Sequence, residues 1–185
     1  MKLLGKIIFS FFAGVLLVVS LVCFAQTNAV AASPAASPSQ VIQAGLDYLS
    51  SQQQPDGGML GFSGVSDPDT TARSVLAFAA AAKPIGEAVS VDGYSMLDYL
   101  SAQAITFTHD TTGTLFPGRA GLLLAAAILA GEDPSSFGAM DLTGELEASY
   151  QPDTGAYSST ARQDYSSGQA SDLSQAWAIL GLSLS

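Results

Sequence analysis

The sequence predicts an all-α protein of about three αα-hairpin repeats, arranged as a curved, partly closed two-layer array. Three observations point there. Leu46-Asp47-Tyr48-Leu49-Ser50-Ser51-Gln52 returns as Leu97-Asp98-Tyr99-Leu100-Ser101-Ala102-Gln103, about fifty residues on. Gln54-Pro55-Asp56-Gly57-Gly58 returns, more loosely, as Gln151-Pro152-Asp153-Thr154-Gly155. After each copy come a short loop and an alanine-rich apolar segment. Self-similarity at such a period means one supersecondary unit stacked on its neighbours.

The N-terminus reads as a secretory leader. Lys2 and Lys6 precede an apolar run from Ile7 to Ala25 broken only by Ser10 and Ser20. Ala29-Val30-Ala31 fits a small-residue cleavage site, and Ala25 is a second candidate. Residues 1–31 are therefore expected to be a signal peptide, with an uncleaved membrane anchor as the open alternative. Cleavage removes Cys23, the one cysteine, so the exported part has no disulfides and relies on packing. Residues 32–40 are Ser, Pro, Ala and Gln and read as a spacer, leaving 41–185 as one modest domain outside the cytoplasm, secreted or in the cell envelope.

Charge narrows the partners. All sixteen acidic residues follow the leader, against Arg73, Lys83, Arg119 and Arg162, which puts the exported part near −12. Such a surface repels phosphate backbones and anionic headgroups, so nucleic-acid binding is excluded and membrane contact is expected only through the N-terminal segment.

In the first unit, Ile42, Leu46 and Leu49 form one helical face, and Gln52 to Gly58 ends that helix. The partner helix is expected to start at Asp67-Pro68, with Asp67 as cap and Pro68 in the first turn. It continues as Ala72 to Ala82, apolar except for Arg73 and Ser74, and stops at Lys83-Pro84. The second unit is Met96 to Gln103, then Gly118 to Ala130 closed by Gly131. The stretch from Ala120 to Ala130 has no polar face and is too short to span a bilayer, so it should be buried in protein. The third unit is Leu142 to Tyr150, then Asp172 to Leu184. Ala72, Ala120 and Ala176 take equivalent places in the second helices. One helix of each pair is thus amphipathic and outer, the other apolar and inner.

These residues resemble the αα-toroid superfamily of squalene-hopene cyclases and protein prenyltransferase β subunits. They are most similar to small secreted bacterial proteins with prenyltransferase/squalene-oxidase repeats. Leu49, Gln52 to Gln54 and Gly57-Gly58-Met59 match the cyclase repeat with Met59 in place of its Trp, and Leu146, Gln151 and Gly155-Ala156-Tyr157 match with Tyr157 there. The middle copy keeps Gln103 but lacks the Gly-x-aromatic part. The resemblance implies a partial αα-toroid over 41–185. A closed ring of this kind needs more pairs than three, so the expectation is half a ring, completed by a second copy, by a further C-terminal part, or left open.

Ser66-Asp67-Pro68-Asp69-Thr70-Thr71-Ala72 is the sharpest candidate for chemistry. The resemblance to class II terpene cyclases implies Asp69 as general acid assisted by Asp67, although Thr70 stands where those enzymes have a further Asp. The residues alone read more simply, as a cap followed by an acid facing the helix dipole, with Arg73 pairing Asp69 four residues on. Arg73, Phe116, Tyr157 and Trp177 are the candidate ligand-binding residues, with Tyr165 beside them, because aromatics on an inner helix face would line a lumen. His109 is the sole histidine, so the zinc site of prenyltransferases cannot be assembled and no cofactor is expected. Asp67/Asp69 and Glu132/Asp133 could hold calcium but lack the spacing of an EF-hand and read as solvated surface. The expected function is a non-enzymatic module that binds an apolar small molecule or a protein on its inner face, with a homodimer as one way to complete the ring. The alternatives are a cyclase-like isomerase and a fragment of a longer protein.

Overall fold

The structure, a computed structural model, describes residues 36–158 and 171–185. The expected leader, residues 32–35 of the spacer, Arg162 and Tyr165 lie outside the described residues. From residue 38 onward the chain is one compact unit, and it is all-α. Six helices are described: α1 (Pro38–Ser51), α2 (Pro68–Ala80), α3 (Met96–Thr108), α4 (Pro117–Ala130), α5 (Leu142–Ala148) and α6 (Asp172–Leu184). Helix α1 opens at Pro38, inside the stretch read as spacer, because proline suits a first helical turn. None of the described helices is long and apolar enough to cross a membrane.

Helix α4 is the centre of the core. Leu122, Leu123 and Leu124 are all buried, each contributing about 2–3 kcal/mol by burial. Helix α6 makes the most extensive packing with α4 and α2 the next, while α3 and α5 also rest on it. The contact with α6 is made by small residues. A Cβ on Gly121 would sit 2.3 Å from the Trp177 carbonyl oxygen, and one on Gly118 would sit 2.8 Å from the Ser174 Cα.

The helix ends follow local chemistry. Helix α2 is capped by Asp67 with Pro68 in its first turn. Ser95 and Asp98 form a reciprocal capping box at α3. Helix α4 stops at Gly131, which has φ 83°, and Glu132 N–H bonds back to Ala127 at 2.9 Å. Helix α2 ends in the same motif with an alanine in the left-handed position, Ala82 at φ 53°, and Lys83 N–H reaches Phe78 at 3.0 Å.

Two short hairpins interrupt the helices: β1 (Met59–Leu60) with β2 (Ser66–Asp67), and β3 (Tyr150–Gln151) with β4 (Ala156–Tyr157). A glycine-closed turn recurs in the loops, with a left-handed Gly57, Gly64, Gly93 or Gly113 as its fourth residue. In each, the first N–H bonds to the fifth carbonyl, as in Gln54 to Gly58 (2.7 Å) and Asp110 to Thr114 (3.0 Å). This is the three-residue hairpin turn in which glycine closes a bulge.

The turn also sets the register. Leu60 N–H bonds to Gln52 and Phe116 N–H bonds to Thr108, so the loop after α1 corresponds to the loop after α3 with Thr108, not Gln103, opposite Gln52. Gln103 lies inside α3 because buried Ala104, Phe107 and Thr108 continue the stripe begun by Met96 and Leu100. The helix expected from Leu142 to Tyr150 is, by contrast, shorter, ending at Ala148 so that Tyr150 enters β3.

Candidate functional site

The N-terminal ends of α2, α4 and α6 come together around an open cavity of about 610 Å³. Phe107, Leu122 and Trp177 line it with Phe62 of the β1–β2 turn and Leu173 of α6, and Thr70, Gln103, Thr106, Ser171 and Ser174 make the rest of the lining polar. Phe62 is fully exposed and Leu173 is 60 % exposed. Four charged residues also face the cavity: Asp67, Asp69, Arg73 and Arg119.

Each carboxylate has a local partner. Asp67 Oδ1 accepts from the Thr70 N–H at 2.8 Å and the Thr70 hydroxyl at 2.7 Å. The Asp67 carbonyl accepts from the Thr71 hydroxyl at 2.6 Å, and that hydroxyl accepts from Met59 N–H at 2.9 Å. This ties β1 to the first turn of α2. Asp69 receives two bonds from Arg73, Nε to Oδ2 at 2.6 Å and Nη2 to Oδ1 at 3.1 Å. The bond to Asp69 holds the Arg73 guanidinium above its ordinary pKa, and that guanidinium lies 5.2 Å from the centre of the Trp177 ring. The simpler reading of the Asp67–Asp69 segment therefore describes what these side chains do.

Arg119 differs. Its guanidinium lies 4.7 Å from the Phe116 ring centre and 5.6 Å from that of Phe107. Its Nη1 donates to the Phe107 carbonyl in a hydrogen bond that is long at 3.3 Å. Among the described residues no carboxylate comes within ion-pair distance of it. Among the described residues the buried Trp177 Nε1 also has no hydrogen-bond partner.

Of the expected site residues, Asp67, Asp69, Arg73 and Trp177 share the cavity, whereas Phe116 and Tyr157 do not line it. Phe116 supports Arg119 from behind. Tyr157 is fixed through its backbone by Gln175, at 2.8 Å and 2.7 Å, and its ring lies 5.5 Å from that of Tyr150. Residues 109 and 145 meet elsewhere, with His109 Nε2 3.0 Å from Glu145 Oε2. Sequence reasoning passed over Arg119 and Phe62. Arg119 carried a signal, as a lone cation at the head of an apolar helix, whereas Phe62 in a Gly/Ser-rich turn carried none.

Among the described residues no cluster of three or more His, Cys, Asp or Glu side chains could hold a metal. Compared with protein-family models, curated proteins and solved structures, the chain matches none of them.

Proposed function

We propose that this chain is an extracytoplasmic, non-enzymatic binding module, a partial αα-toroid whose inner-helix face takes an apolar ligand in the cavity at the heads of α2, α4 and α6. The observation that carries this reading is a mixed lining in which Phe107, Leu122 and Trp177 meet carboxylates that are already satisfied. A pocket of several hundred Å³ where aromatic and apolar side chains meet fixed polar groups has the form of a small-molecule site. The aromatic rim at Phe62 would fold over a bound hydrophobe. Parallel placement of α2, α4 and α6 heads around one cavity supports the toroid reading.

The alternative, a cyclase-like isomerase with Asp69 as general acid, is less well supported. A general acid must present a proton in an apolar enclosure, whereas Asp69 is 44 % exposed and accepts two bonds from a guanidinium. A protein partner or second copy is supported by the apolar residues that α6 leaves exposed, among them Ile179 and Leu180.

Trp177 is the only tryptophan, so binding can be read directly. Titrating the full chain with neutral N-phenyl-1-naphthylamine should give saturable energy transfer from Trp177. Transfer that rises linearly without saturating would contradict a discrete site.

A further inference from the structure

We infer that the cavity discriminates by charge and takes an amphiphile with one carboxylate, whose head is held by Arg119 while its apolar body lies against Phe107, Leu122 and Trp177. The inference rests on the binding reading above and specifies its ligand class.

The argument begins with which charge is left over. Asp69 and Arg73 neutralise each other through two hydrogen bonds. Asp67 caps α2, where the helix dipole favours a negative group. Arg119 is the remaining cation on the cavity, and among the described residues its guanidinium has most of its five N–H donors uncommitted. Its position does nothing for the helix, since it sits in the first turn of α4, where the dipole opposes a cation. The Phe116 and Phe107 rings hold the guanidinium in place without consuming its donors. A planar, fixed and accessible guanidinium matches a carboxylate through two parallel bonds.

The neighbours set the valence. Asp67 lines the same cavity with no cationic partner among the described residues, so a multiply charged head such as a phosphate or diphosphate would meet more repulsion than a single carboxylate. The acidic surface around the module also opposes anions, but that field is screened beyond about 8–10 Å at physiological salt. Contact with Arg119 then decides retention. Phe107, Leu122 and Trp177 favour an acid with a hydrocarbon or aromatic body over a small hydrophilic one, because covering them adds favourable apolar area.

The test uses parinarate, a fluorescent polyene fatty acid, and its methyl ester, with energy transfer from Trp177 in the full chain as readout. Parinarate should bind about tenfold or more tightly than the ester, and Arg119→Gln should remove that preference while leaving ester binding in place. Arg119→Lys should retain part of it. Equal affinity for the two probes overturns the inference and leaves the binding reading standing. Transfer to neither probe removes both. A preference that survives Arg119→Gln, with the helical circular dichroism of the variant intact, also overturns it. The comparison of acid with ester in the parent chain needs no variant, so a misfolded Arg119→Gln protein cannot shelter the idea.

Discussion

Gly181 and Gly121 meet backbone to backbone where α6 crosses α4: a Cβ on Gly181 would lie 2.6 Å from the Gly121 carbonyl oxygen. No flexible side chain can move aside there, since the nearest atoms are main chain. This approach fixes how close α6 lies to the central helix, and so where Trp177 stands in the cavity wall. Gly181→Ala should destabilise the fold by about 1–3 kcal/mol, with Gly121→Ala at the upper end or beyond. Denaturant midpoints measured by circular dichroism check this, and alanine at both positions without loss would refute the close crossing.

Ala82 carries the opposite opportunity. It holds the left-handed position of the motif that ends α2, at φ 53°, where the corresponding residue after α4 is Gly131. A residue with a Cβ pays about 1 kcal/mol for that conformation. Ala82→Gly is expected to raise stability by up to about that amount, and Gly131→Ala to lower it similarly. Thermal unfolding of the two variants gives the comparison.

Asp67 and Asp69 should separate cleanly in stability. Asp67→Ala removes the α2 cap and should cost about 1 kcal/mol, while Asp67→Ser should keep most of it. Asp69→Asn breaks an exposed pair one turn apart and should cost no more than about 0.5 kcal/mol. A several-fold larger penalty at Asp69 would mean that it supports more than Arg73.

Acid should unfold the protein from its caps. Hydrogen bonds from the Ser95 backbone N–H, then from the Ser95 hydroxyl, hold the Asp98 carboxyl below its ordinary value of 3.8. Asp110 and Asp133 are lowered too, Asp110 chiefly by the Thr114 N–H and Asp133 by the Ser135 hydroxyl. Because these folded values lie below the unfolded ones, the stability they contribute is fully present above about pH 4–5 and is lost as pH falls through the folded values. Tm plotted against pH should be flat from neutrality to about pH 5 and then drop. Asp98→Asn should make that drop shallower.

The helices were legible wherever a cap or a long apolar run announced them. Asp67-Pro68 marked the start of α2, Gly131 marked the end of α4, and the unbroken apolar stretch marked the buried centre from Ala120 to Ala127, beyond which Leu129 is exposed. The hairpins were not legible, because strands of two residues have no periodicity and are fixed by distant groups, such as the Thr71 hydroxyl on Met59 N–H. The register of the second sequence copy misled for a related reason. Gln103 matches Gln52 in sequence, yet the stripe through Phe107 and Thr108 carries α3 past it. At the site, the apolar second helices expected from the sequence pointed to Arg73 and Trp177, whereas Arg119 meets them only when α2, α4 and α6 are brought together.

The central claim is that the cavity at the heads of α2, α4 and α6 is a binding site, and the most direct measurement is a map of where a ligand sits. Titrating the 15N-labelled full chain with N-phenyl-1-naphthylamine should shift the single indole resonance of Trp177 together with backbone signals of Thr106, Phe107 and Leu122, saturating in step. Shifts confined to the outward face of α6 at Ile179 and Leu180, or to Val41 and Ile42 on α1, with the Trp177 indole unmoved, would contradict it.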